Sequence, residues 1–135
     1  MRYLLDTGIA GHYINRRAGV FTQAREKVSQ GHVLGICTPV LGELWHGVYN
    51  SDTSEPNRRG LRRALSDLRI WPYDNDAAEE FGRIYTELRR IGRPMQQIDI
   101  QVAAVAKSLG QCVVVTTDSD LSAVPGLDVE NWAKI

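Results

Sequence analysis

Apolar residues along this chain alternate between short, near-continuous runs and longer stretches at helical spacing. Arg2 to Leu5 is a short apolar strand that runs straight into the turn Asp6-Thr7-Gly8, ahead of a helix from about Ile9 to Asn15. Val20 to Gln30 forms a second helix, with Val20, Ala24 and Val28 on one face, and Val33 to Cys37 a buried strand. Thr38 as N-cap and Pro39 at the first helical position start a helix over Val40 to about Tyr49. The Ser-, Asp-, Thr-, Pro- and Asn-rich stretch Asn50 to Asn57 is a loop, and a helix over Arg58 to Leu68 follows. Ile70 to Tyr73 is a short strand, and Pro72 argues that it ends early or lies at a sheet edge. Asn75 or Asp76 caps a long helix to Ile91, with Ala77, Phe81, Ile84 and Leu88 on its apolar stripe, and Gly92-Arg93-Pro94 stops it. The clearest helix is Ile98 to Leu109, closed by Gly110. Cys112 to Val115 has the β-branched signature of a strand covered on both faces, and Leu127 to Val129 is a last short strand before Trp132. Strands alternating with helices predict an α/β sandwich around a mostly parallel sheet.

A chain of 135 residues fits one compact domain over residues 1–135. No apolar run approaches the roughly 20 residues of a membrane helix. Asp6 follows the first strand at once, leaving no room for a secretory signal, so the expected location is cytoplasmic. Cys37 and Cys112 sit in apolar strand contexts, which fits buried free thiols and argues against thiolate–metal chemistry. Sixteen basic and sixteen acidic residues cancel, so no global positive field marks a general nucleic-acid binder. Local arginine clusters remain: Arg16 and Arg17; Arg58, Arg59, Arg62 and Arg63; Arg83, Arg89, Arg90 and Arg93. Each also fits a solvated helix face balanced by nearby acids.

The acids carry the chemistry. Asp6, Glu43, Asp99 and Asp118, with Asp120 close behind, lie where an apolar strand ends or an apolar helix begins. Ligands of open parallel sheets bind beyond the carboxyl ends of the strands, the address of Asp6 and Asp118, and the first turns of helices bearing Glu43 and Asp99 can face that crevice. Each acid alone also fits a turn residue or a first-turn helix acid; the combination points to one pocket. Carboxylates brought that close repel, and a hard dication relieves the repulsion. An all-oxygen donor set favours Mg²⁺ or Mn²⁺ over zinc, and such an ion makes its water more acidic and neutralises a phosphodiester under attack. No glycine-rich phosphate loop follows the first strand, and no second Asp stands two residues beyond Asp6 as a phosphoaspartyl hydrolase requires.

The run Leu4-Leu5-Asp6-Thr7-Gly8-Ile9 resembles the opening of PIN-domain ribonucleases of the VapC toxin family. Val40-Leu41-Gly42-Glu43-Leu44 with Gly47 looks like that family's second motif, and Asp99-Ile100-Gln101-Val102-Ala103-Ala104 like its third. Thr116-Thr117-Asp118-Ser119-Asp120-Leu121, then Val124-Pro125-Gly126-Leu127 and Asn131-Trp132, is similar to its usual ending. The resemblance implies a PIN-like three-layer sandwich with about five strands, and Mg²⁺- or Mn²⁺-dependent cleavage of RNA by Asp6, Glu43, Asp99 and Asp118. Of these, Asp6, Asp99 and Asp118 match the metal ligands, and Asp120 is a further candidate for the last one. Thr7 and Thr116 match hydroxyl positions that hold a carboxylate or a water. The resemblance also implies a homodimer and a VapB-type antitoxin that blocks the active-site groove. Arg93 and Arg16 are the candidate contacts to the RNA backbone. The family's opening most often reads Asp-Thr-Asn; Gly8 replaces the Asn and removes a side chain that braces Asp6, which predicts weakened metal affinity or rate. The same motifs also fit a PIN nuclease of RNA processing with no toxin role, and a PIN binding module with a weakened site.

Overall fold

The computed structural model describes residues 1–134. Five strands form one sheet: β1 (Arg2–Leu5), β2 (Val33–Cys37), β3 (Arg69–Trp71), β4 (Cys112–Val115) and β5 (Asp128–Glu130). Their order is β3-β2-β1-β4-β5, and every pairing is parallel. Six helices flank it: α1 (Thr7–Ile14), α2 (Val20–Ser29), α3 (Thr38–Tyr49), α4 (Ser54–Leu65), α5 (Asn75–Arg90) and α6 (Gln97–Leu109). The predicted architecture is the observed one, and Pro72 does end an edge strand, β3.

The sheet grows from β1 in two directions, to β2 and β3 on one side and to β4 and β5 on the other. The chain therefore reverses its winding between β1 and β4, which opens a crevice at their carboxyl ends. Register fixes what meets there. Leu5 pairs with Val115, and the Asp6 N–H donates to the Val115 carbonyl at 3.0 Å, so Asp6 and Thr116 leave the sheet side by side.

Burial explains why β1 and β4 hold that position. Leu4, Leu5, Val114 and Val115 are fully buried, and Ala103, Ala104 and Val105 of α6 pack into the same core. Small side chains on α6 permit close approach. Gly35 serves the same purpose in β2: a Cβ there would lie 2.7 Å from Trp71 Cζ3 and would collide with the Arg69 carbonyl. Among the described residues no helix is long and apolar enough to cross a membrane. Cys37 and Cys112 are free and buried, and burial pushes both thiols up to about 11.

Several local expectations are corrected. Thr38 is the first residue of α3 and not its cap; its hydroxyl instead accepts the Tyr73 N–H at 3.0 Å, tying α3 to the end of β3. α4 begins at Ser54, inside the expected loop, because Pro56 lies in the first helical turn, where no N–H has an intrahelical partner to lose. Asp74, and not Asn75 or Asp76, caps α5 by accepting the Ala77 N–H at 3.0 Å. Val28 faces outward, since only Val20 and Ala24 of α2 are buried.

Candidate metal centre at the carboxyl rim of the sheet

Four segments bring carboxylates to a cleft of about 250 Å³ at the β1/β4 crevice. Asp6 directly follows β1 and Thr7 begins α1, Glu43 comes from α3, Asp99 from the first turn of α6 and Asp118 from the loop after β4. Gly8, Gln96, Ile98 and Val102 complete its lining.

Local hydrogen bonds aim Asp6, Glu43 and Asp118. Asp6 is the N-cap of α1: its Oδ1 accepts the Ile9 N–H at 2.9 Å while its Oδ2 accepts the hydroxyl of Thr116. Thr116 is buried, with 2% of its surface exposed, and its Oγ1 also accepts the Asp118 N–H at 2.9 Å. One hydroxyl thus joins the two strand-end acids. Across the cleft the Thr7 hydroxyl donates to Glu43 Oε1 at 2.6 Å. Both threonines therefore hold carboxylates. Asp118 Oδ1 accepts the Asp120 N–H at 2.9 Å, building the turn that opens the short 3₁₀ segment Ser119–Ala123.

The charges are frustrated. Desolvation, then repulsion from Asp118, Asp6, Glu43 and Asp120 in that order, lifts the Asp99 carboxyl to about 6. Burial lifts Asp6 as well, opposed by its bonds to Thr116 and Ile9 and reinforced by Asp118. Among the described residues, no three Asp, Glu, His or Cys side chains already stand where they would close around an ion. Asp6, Glu43 and Asp118 are held by protein donors instead. The cleft lining offers oxygen donors and no His or Cys, the donor type that hard cations prefer.

The other candidate residues fall elsewhere. Asp120 does not line the cleft; its Oδ1 lies 3.5 Å from Arg93 Nη2. The Arg16 guanidinium rests on the Phe21 ring, 4.1 Å from its centroid, beside a separate cavity lined also by Tyr13, Arg63 and Asp67. The Arg16 side chain thus lies against an aromatic face, away from the acid cleft lining. Of the remaining clusters, Arg59 pairs with Glu55, and Arg83 with Glu79 and Glu80, as solvated helix faces do. Gln96 was not anticipated; its place just before the helix that carries Asp99, with its carbonyl accepting the Asp99 N–H at 3.1 Å, is the signal that marks it.

A parallel sheet that reverses its winding at a rim of four carboxylates is the architecture the comparisons with known proteins match. The PIN domain model matches residues 3–127, and the chain belongs to the PIN-domain family, in its VapC ribonuclease branch. The tRNA(fMet)-specific endonuclease VapC of Shigella flexneri is 32% identical over 98% of this chain and 99% of its own length. Ribonuclease VapC2 of Haemophilus influenzae is 31% identical over 98% of each. Among solved structures, VapBC2 of Rickettsia felis bound to a promoter DNA fragment superposes with a TM-score of 0.90 at 28% identity, covering 98% of this chain and 99% of that one. DNA-bound VapBC of Salmonella typhimurium gives 0.89 at 30% identity, with the same coverage.

Proposed function

We propose that this protein is a Mg²⁺- or Mn²⁺-dependent endoribonuclease, the toxin of a VapBC-type toxin–antitoxin pair. The observation that carries the reading is the convergence of Asp6, Glu43, Asp99 and Asp118 on one cleft, where desolvation and the other acids raise the Asp99 carboxyl. Asp6, Asp99 and Asp118 are the residues that would hold the cation. When bound, it supplies charge neutralisation at the phosphate and acidifies water.

The chain's own groups do the rest. Thr116 fixes Asp6 and orders the backbone of Asp118, so two ligands move as one unit. Thr7 occupies Glu43 Oε1, which leaves Oε2 to take the proton of the attacking water. Water adds to phosphorus, a P–O ester bond breaks, and the leaving oxygen departs with a proton from solvent. Purified protein is expected to cut RNA with Mg²⁺ or Mn²⁺ and to stop on chelation. Activity that survives Asp99→Asn would defeat the site assignment.

An apolar groove is the surface we assign to the antitoxin. A groove of about 460 Å³ lies between α1, α3 and α4, floored by Ile14, Leu44, Val48 and Leu61 and edged by Arg17 and Asn57. Leu44 lines this groove and Glu43, the preceding residue of α3, lines the acid cleft, so the same helix borders both. A small antitoxin gene beside this one, whose product suppresses RNA cleavage, is the expected finding. Leu44→Lys should abolish that suppression while cleavage persists.

A further inference from the structure

Two candidate residues from different parts of the chain meet outside the cleft lining, Arg93 three residues before Gln96 and Asp120 two residues after Asp118, both of which line it. Arg93 sits in the connection between α5 and α6, and Asp120 in the segment after β4. Their side chains are 54% and 63% exposed, so the pair adds little to stability; its placement is what matters.

Both ends are rigidly mounted. The Arg93 N–H donates to the Leu88 carbonyl at 2.9 Å and the Gly92 N–H to the Arg89 carbonyl at 3.2 Å, with Gly92 at φ 69°, a left-handed helix terminus that glycine adopts without strain. Pro94 then confines the backbone of Arg93 to extended conformations. On the other side the Asp120 N–H is held by Asp118 Oδ1, Asp118 N–H by Thr116 Oγ1, and the Thr116 hydroxyl by Asp6. A continuous chain of contacts therefore runs from the deepest acid, through Asp118 and Asp120, to the guanidinium. Asp120 is also the weakest of the four acids acting on Asp99.

We infer that Asp120 is a positioning residue for Arg93 and not a metal ligand, and that Arg93 is the side chain that grips the RNA phosphate entering the cleft. The inference rests on the nuclease reading and deepens it. A free arginine samples many rotamers, and a carboxylate on one edge of its guanidinium narrows that set to those that face the segment after β4. Nη2 faces Asp120, while a guanidinium has five donors, so the rest stay available for a phosphate oxygen. Gln96 and Asp99 on one wall and Asp118 on the other place the cleft between the two mounts.

The test compares Arg93→Ala, Asp120→Asn and the double variant on two readouts. One is cleavage of a 5′-labelled single-stranded RNA that the wild-type protein cuts; the other is Mn²⁺ affinity by electron paramagnetic resonance, with no RNA present. Each single variant is expected to raise KM about tenfold, the scale of one charge-assisted contact, with kcat within about twofold. Mn²⁺ affinity should match wild type in both, Asp120→Asn should add nothing in the Arg93→Ala background, and Arg93→Lys should restore part of the loss. Asp120→Asn that weakens Mn²⁺ binding, effects that multiply in the double variant, or an unchanged KM would overturn the inference while leaving the nuclease reading intact. A wild-type protein that neither binds Mn²⁺ nor cuts RNA removes both.

Discussion

β4 and the five residues after it are neighbours in sequence and opposites in energetics. Cys112 to Val115 are all buried and apolar, packed between helices and paired with β1 along their whole length. Thr116 to Asp120 carry two acids, a buried hydroxyl and a backbone turned by side-chain bonds. The strand bodies supply stability; the rim holds charges that destabilise one another when no cation is present. Such a site survives because the core beneath it over-determines its position.

That contrast is broken most severely by Asp99→Asn. RNA cleavage and Mn²⁺ affinity should fall more than about 100-fold, beyond the ~10–100-fold typical of residues that only orient a ligand. The metal-free protein should nevertheless melt at a higher temperature, because a repelled carboxylate is gone. Leu4→Ala tests the opposite region. Leu4 is fully buried in β1, and its truncation should cost about 2–5 kcal/mol in urea denaturation while the remaining folded protein keeps its Mn²⁺ affinity. Thr116→Val keeps shape but removes the hydroxyl shared by Asp6 and Asp118, which should lower Mn²⁺ affinity about tenfold.

The pH dependence sharpens the comparison. The Asp99 carboxyl lies at about 6 against an ordinary value of 3.8, so the folded state holds its proton more tightly than the unfolded chain. The stability this contributes is fully present below about pH 4 and is lost as pH rises through about 6. Chemical denaturation without metal should show that decline, and Asp99→Asn should flatten it. Mn²⁺ affinity should rise over the same interval, since the ion displaces the proton. The smallest effect concerns Gly8. A Cβ there would meet Asp6 Oδ1 at 3.8 Å, an ordinary contact, so Gly8→Asn is sterically permitted and should tighten Mn²⁺ binding by about threefold.

The sheet and the gathering of acids were legible because both follow from local rules. Apolar runs of strand length marked β1, β2 and β4, and acids at their ends had one crevice available to them. Features that depend on a distant partner were not legible. Thr38 has the composition of a cap, yet Tyr73 claims its hydroxyl. Ser54 to Asn57 has the composition of a loop, yet forms the first turn of α4. Arg16 is drawn to Phe21 and Asp120 to Arg93 by geometry that spacing along the chain does not encode.

Thermal unfolding of the wild-type protein and Asp99→Asn at pH 7, with and without Mn²⁺, tests the central claim most directly. The account predicts that Mn²⁺ raises the midpoint of the wild-type protein and leaves that of Asp99→Asn unmoved, the variant starting higher without metal. A wild-type midpoint indifferent to Mn²⁺, or an equal rise in both proteins, would contradict it.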